Sequence, residues 1–301
     1  MLMMGLQESL EKIIQEATGT FGVYVKHLES GETAAINENR LFQAASVFKI
    51  PILATLYRDV QMGKVELKEH IRLEEEDLVN GSGIFKELIP GIDVTIKNLA
   101  TMMIIVSDNV GTDKLLSILG KENVNQYMKE IGLSNTYIRL SCWELLCSCV
   151  GLPPQKFSTD TYNDINRRFK NGEIDHHSIV FKESHANNVT TAADMALLLE
   201  KMANKQLISE KACHDMFEIL AKQQFRSRIP YLLPQNTVVA HKTGTIASVV
   251  NDSGIVQLPD NKGNFIISVF SIGNNTEAEG ASIISKLSRV AYNHFLNKVT
   301  V

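Results

Sequence analysis

Strand-like runs at the two ends of the chain enclose a middle whose apolar spacing is helical. "TFGVYVKHLES" and "GETAAIN" read as two strands joined at Ser30-Gly31. Near the other end, "TVVAHKTGT", "SVVNDSGIVQL" and "NFIISVFSI" read as three more, the last two linked by the turn "PDNKG". Connections this short demand antiparallel pairing. The simplest assembly is one five-stranded antiparallel sheet built from both chain ends. Amphipathic helices flank it. Leu6, Leu10, Ile13, Ile14 and Ala17 share one face of the first helix. In the last helix, Thr276 with Glu279 three residues on forms a capping box. Ile283, Ile284, Leu287, Val290, Ala291 and Phe295 mark its buried face.

Between these ends, "ILATLYRDVQMGK", "TIKNLATMMIIVS", "GTDKLLSILG", "VNQYMKEIG" and "TTAADMALLLEKMANK" carry helical periodicity. The chain therefore reads as an α+β fold with an inserted all-helical domain at 40–222. The sheet domain is discontinuous, formed by 1–39 and 223–301. From Gly151 to Asn188 the sequence is polar, begins with Pro153-Pro154, and reads as a long loop. A cleft where the two parts meet is a usual place for a small-molecule site.

Composition narrows the partners. The 301 residues are 44% hydrophobic and 21% charged, enough for one large core or two moderate ones. A net charge of −4 and a pI near 6.1 leave no basic excess to track phosphates, which argues against nucleic acid. No apolar run approaches the roughly 20 residues of a membrane span. "MLMMGLQESLEKIIQEA" lacks the charged and apolar regions of an export signal. A cytoplasmic protein, or an exported one already trimmed of its signal, is expected. Cys142, Cys147 and Cys149 cluster without paired C-x-x-C spacing, Cys213 is distant, and the nearest histidines are His176 and His177. Free thiols are expected, with no metal and no cofactor.

Three short stretches carry chemistry. In "AASVFKIPIL", Ser46 and Lys49 are three apart on one helix face, so an amine can reach a hydroxyl that needs a base to become a nucleophile. A helix N-terminus there offers N–H groups to a developing oxyanion. Pro51 implies an irregular first turn. A capping serine beside a solvated lysine fits the same residues. In "VSDNVGTDKLL", Ser107 or Asp108 can cap a helix, or Ser107 can relay a proton while Asn109 orients a carbonyl. In "HKTGT", Lys242 can hold a carboxylate and Gly244 lets a ligand or another backbone approach. A solvent-facing lysine beside a bulge glycine is the plainer reading.

Taken together and in this order, S-x-x-K, S-D-N and K-T-G resemble the class A serine β-lactamase and penicillin-binding D,D-peptidase superfamily. The resemblance runs over nearly the whole chain. It implies that Ser46 is the acylated nucleophile, Lys49 the amine beside it, and Ser107 the hydroxyl passing a proton to the leaving nitrogen. It implies that Asn109 holds the substrate side-chain carbonyl, and that Lys242, Thr243 and Gly244 line the carboxylate anchor. The N–H groups of Ser46 and Thr245 then form the oxyanion hole. A lysine pair, Lys49 near Lys242, would lower the pKa of Lys49 by like charge. The substrate implied is a β-lactam or a D-Ala-D-Ala-like peptide, handled by a monomer without metal. β-Lactam hydrolysis leads. A D,D-peptidase-like enzyme that β-lactams acylate follows, and a non-enzymatic penicillin sensor comes third.

The chain departs from the family's E-x-x-L-N deacylation motif. Trp143-Glu144 stands at nearly the expected place, but Cys147 and Ser148 replace Leu and Asn. An insertion of about thirty residues follows, a length that tends to be functional or mobile. It carries His176, His177 and His185 and ends near Glu183. Glu144 is the expected base and Glu183 the other choice. Arg228, fourteen residues before Lys242, reads either as a carboxylate-binding arginine or as a surface one.

Overall fold

In the computed structural model, residues 5–88 and 90–298 are described. Among the described residues nine strands appear in chain order: β1 (Thr20–His27), β2 (Thr33–Ile36), β3 (Phe42–Gln43), β4 (His70–Leu73), β5 (Ile92–Thr95), β6 (Val189–Thr190), β7 (Val239–Ile246), β8 (Val249–Gln257) and β9 (Asn264–Ile272). Five of them form one antiparallel sheet in the order β2-β1-β9-β8-β7. The two chain ends meet where β1 pairs with β9, from Thr20 opposite Ile272 to His27 opposite Phe265. β3 pairs with β6, and β4 with β5, as two small ladders outside that sheet.

Alternation along the strands divides the sheet between two cores. Phe265, Ile267 and Val269 of β9 point to one side. There they pack with Leu6 and Leu10 of α1 (Leu6–Ile14) and with Ile284, Leu287 and Phe295 of α10 (Glu277–Lys298). Ile266 and Phe270 point to the other side, joined by Ala240 and Ile255, and enter the helical core. Its helices are α2 (Lys49–Gln61), α3 (Ile96–Ile105), α4 (Asn109–Leu119), α5 (Lys121–Glu130), α6 (Cys142–Cys149), α7 (Thr159–Lys170), α8 (Ala192–Ala203) and α9 (Glu210–Leu220). α2 is buried on nearly all sides, from Lys49 through Tyr57.

Helix starts follow side-chain caps. Thr95, Asp108, Ser141, Ser158, Thr191 and Ser209 each accept an N–H from their helix's first turn. At α10 the Thr276 hydroxyl accepts the N–H of Glu279 at 3.1 Å. The Glu279 carboxylate turns outward to Thr18 and Asn275 instead of completing the box.

The stretch expected to be a long polar loop contains α7 and the 3₁₀ turn Ile179–Phe181. Ser158 caps α7, and Tyr162, Ile165 and Phe169 give it one apolar edge against the helical cores. Three apolar residues at helical spacing among polar neighbours are enough, because tertiary packing supplies the rest. No helix among the described residues is long and apolar enough to cross a membrane.

Candidate active site

Ser46 sits on a 3₁₀ turn, Ala45–Phe48, that runs into α2. It is the one residue between Phe42 and Ile50 that is not buried. Polar side chains pin the turn from behind. Gln43 accepts the N–H of Ala45, and Asn251 donates to the carbonyls of Gln43 and Ala44. Ala45 has a φ of +42°, a left-handed geometry that a non-glycine residue keeps only when its surroundings enforce it. Pro51 lies in the first turn of α2, where backbone N–H groups lack helical partners, so its ring is accommodated.

Lys49 is fully buried and its Nζ reaches three acceptors. These are the Ser107 carbonyl at 2.8 Å, the Ser107 hydroxyl at 3.1 Å and Asn109 Oδ1 at 2.8 Å. Its pKa is lowered, and the leading cause is loss of water around the amine. Like charge, the cause expected from sequence, acts on the other lysine. Lys242 is held well below its ordinary value by burial first and by Lys49 second. Lys242 is not solvent-facing: it is fully buried, and its Nζ donates to the Thr243 carbonyl at 2.8 Å.

Ser107 has a φ of +57° and is buried. Asp108 holds it in place from below, accepting the N–H groups of Gly111 at 2.9 Å, Ile84 at 2.6 Å and Phe85 at 2.9 Å. Asn109 donates to the Asn80 carbonyl at 2.8 Å while accepting from Lys49. Ser82, not singled out from sequence, donates to the Ser107 carbonyl at 2.7 Å. Its neighbours explain the local sequence N-G-S-G. A Cβ on Gly81 would lie 2.9 Å from the Asn109 amide, and one on Gly83 would lie 2.4 Å from the Asp108 carboxylate. Those two glycines were the available sequence signal for this wall.

β7 closes the other side. A Cβ on Gly244 would come within 2.9 Å of the Ser46 nitrogen, so the glycine lets this strand lie directly on the serine turn. Ser46, Ser107, Asn109, Thr243, Thr245 and Arg228 line one cavity of about 540 Å³. Arg228 is 2% exposed, which excludes the surface-arginine reading, and it donates to the carbonyl of Gly244 at 2.8 Å. The arrangement places two hydroxyls and an amide around one cleft, with the two buried amines directly behind, in contact with Ser107 and Thr243. Such a set can deprotonate a serine, relay the proton and hold a carbonyl.

Glu144 does not join this set. Its carboxylate turns back on its own helix to accept the Ser141 N–H at 2.7 Å, and it pairs with Lys121. It lines a separate surface hollow with Trp143 and Lys114. The capping box fixes it there, and the helical turn then aims Cys142, Leu145 and Leu146 at the cavity. Glu183 is also elsewhere, paired with Arg40 at 2.8 Å. His176 stacks on Phe181 and His185 on Tyr137. All four cysteines are buried free thiols. Asp113 accepts the N–H groups of Cys142 and Trp143 at 2.6 and 2.8 Å, anchoring α6 against α4. Burial, with the Asp113 carboxylate alongside, pushes the Cys142 thiol well above its ordinary pKa.

The family model described as the beta-lactamase enzyme family matches residues 5–295. Beta-lactamase VEB-1 of Pseudomonas aeruginosa is 25% identical over 300 residues, covering 96% of this chain and 90% of that one. Extended-spectrum beta-lactamase PER-1 of the same organism is 24% identical, with 98% and 89% covered. Among solved structures, a beta-lactamase from Sphaerobacter thermophilus superposes with a TM-score of 0.79 at 25% identity, 97% of each chain being covered. PBP-A shares the fold at a TM-score of 0.78 and 24% identity, with 96% of each chain covered. With a match from residue 5 to residue 295 and the three motifs gathered around one cavity, the chain belongs to the beta-lactamase enzyme family.

Proposed function

We propose that this protein is a serine hydrolase that opens the β-lactam ring through an acyl-enzyme on Ser46. The observation that carries the reading is the buried Lys49 amine, one turn from Ser46 in sequence and 3.1 Å from the hydroxyl of Ser107, which lines the same cavity as Ser46. Burial lowers the pKa of that amine and so favours its neutral, basic form. The Ser46 proton passes to Lys49 as Oγ bonds the lactam carbonyl carbon. The carbon–nitrogen bond then breaks, and the nitrogen takes a proton through the Ser107 hydroxyl that Lys49 contacts. Thr243, Thr245, Lys242 and Arg228 take the substrate carboxylate, and the N–H groups of Ser46 and Thr245 take the developing oxyanion. No metal and no cofactor enters the scheme. Peptide mapping after exposure to benzylpenicillin tests it: the added mass belongs on Ser46, and an adduct on any other residue overturns the assignment.

A specific observation favours slow release and keeps the D,D-peptidase-like reading beside the first. The side of the cavity contributed by α6 offers Cys142, Leu145 and Leu146, with Glu144 turned away. Water attack on the ester needs a base in reach, and a thiol held protonated beside Asp113 is a poor one. We read turnover as real but limited by deacylation. A D-Ala-D-Ala-like peptide is the corresponding natural substrate if β-lactams only acylate.

A further inference from the structure

The carboxylate end of the cavity already holds an anion of the protein's own. Arg228 directs Nη1 at two backbone carbonyls, Gly244 at 2.8 Å and Asn251 at 2.5 Å. That leaves Nη2, which donates to Glu277 Oε1 at 2.9 Å and to the Thr245 hydroxyl. The Thr245 hydroxyl in turn faces the same carboxylate oxygen at 3.4 Å. Glu277 opens α10 at the cavity mouth, its side chain 59% exposed, while that of Arg228 is 3% exposed. Among the described residues that line the cavity, Glu277 is the only acidic one. A substrate carboxylate anchored by Thr245 and Arg228 therefore meets a carboxylate already bound to the same two groups.

We propose that Glu277 is a specificity-determining residue, which occupies the Arg228–Thr245 anchor and biases the pocket toward β-lactams carrying a cationic group beside their carboxylate. The inference rests on reading this cavity as the β-lactam acylation site. A simply anionic substrate must displace Glu277 or sit against its charge. A substrate with an adjacent cation meets a counter-ion instead. Exposed ion pairs are worth little, but the Arg228 partner here is buried, so the effect falls toward the upper end of the exposed range. The carboxylate stands on an exposed first turn of a helix, so it can move aside at modest cost.

The test uses two cephalosporins with the same acyl side chain and the same ring carboxylate. Cephalothin carries a neutral acetoxymethyl group at C3, and cephaloridine a cationic pyridiniummethyl group. The quantity measured is the ratio of their second-order rates of Ser46 acylation, cephaloridine over cephalothin. Taking a ratio between proteins cancels the intrinsic reactivities of the two compounds. Glu277→Gln keeps an oxygen that can accept from Arg228 and removes only the charge. We expect the ratio to fall about two- to fivefold in Glu277→Gln, through apparent binding and not through the maximal acylation rate. Glu277→Asp keeps the ratio near its original value. An unchanged ratio in Glu277→Gln with Ser46 still acylated overturns the inference and leaves the acylation reading standing. Absence of both a Ser46 adduct and hydrolysis with either compound removes the acylation reading, and the inference falls with it. In the unaltered protein, added salt screens the half-exposed carboxylate and narrows the ratio. A salt-independent ratio counts against the proposal without reliance on any variant.

Discussion

The cavity has two unlike sides. One comes from the start of α2, the loop before α4, and β7. It crowds Ser46, Lys49, Ser107, Asn109 and Lys242 together, with nearly every polar atom engaged. The other comes from α6 and is apolar apart from one thiol, with Cys142, Leu145 and Leu146 facing in. On the proposed reading the first side supplies what acylation needs: a base, a proton relay and an anchor for charge. The second is where a base for deacylation is expected from the family's motif, and here the carboxylate of Glu144 is spent on the helix N-terminus and Lys121. On that reading the two half-reactions draw on different sides of the cavity, so one can be complete while the other is impaired.

The largest effect expected is on the polar side. Ser46→Ala should abolish acylation altogether. Because Ser46 makes no cap in its turn, thermal unfolding should change little. An adduct that persists in the variant, read by intact mass, breaks the comparison at its root.

Next comes the apolar side. Cys142→Glu places a carboxylate where α6 faces the cavity. We expect deacylation to rise about a hundredfold with acylation little altered, the usual scale of a general base. Burst kinetics with a chromogenic cephalosporin separate the two steps. A faster burst with an unchanged slope would mean that the position does not reach the ester.

The pH dependence sharpens the polar side further. Lys49 acts only when unprotonated, and its pKa lies below 10.5 because burial disfavours the charged form. Acylation should therefore climb as pH rises, by up to about tenfold per unit below the midpoint, with that midpoint under 10.5. Single-turnover acylation across pH measures this limb. A limb centred at or above 10.5 would mean that Lys49 is not the desolvated base. The smallest effect belongs to Glu144→Gln. It should change acylation and deacylation by less than about twofold, while costing roughly 0.2–1 kcal/mol of stability through the lost Lys121 pair, because Gln still accepts the Ser141 N–H.

Much of this was legible in the sequence because the signals were local. The β-hairpins announced the sheet by their turns, and α10 announced itself by its cap and apolar face. Ser46, Ser107 and Lys242 were legible because short motifs fix their neighbours. Other features depended on contacts across the chain. Nothing near Glu144 in sequence says that its carboxylate folds back on Ser141. The E-x-x-L-N resemblance pointed inward, whereas the helical turn of α6 points Cys142 inward. α7 escaped because its apolar edge is only Tyr162, Ile165 and Phe169 in a polar stretch. Glu277 and Ser82 escaped because their partners, Arg228 and Ser107, lie far from them in the chain.

The most direct test is the mass of the intact protein followed over time after one addition of benzylpenicillin in modest excess. The account predicts a single adduct of the penicillin's full mass on Ser46, formed early and lost slowly, with the native mass returning after the penicillin is consumed. Hydrolysis of the penicillin with no adduct accumulating at any time would contradict it, because release would then be faster than acylation despite the side of the cavity that α6 provides.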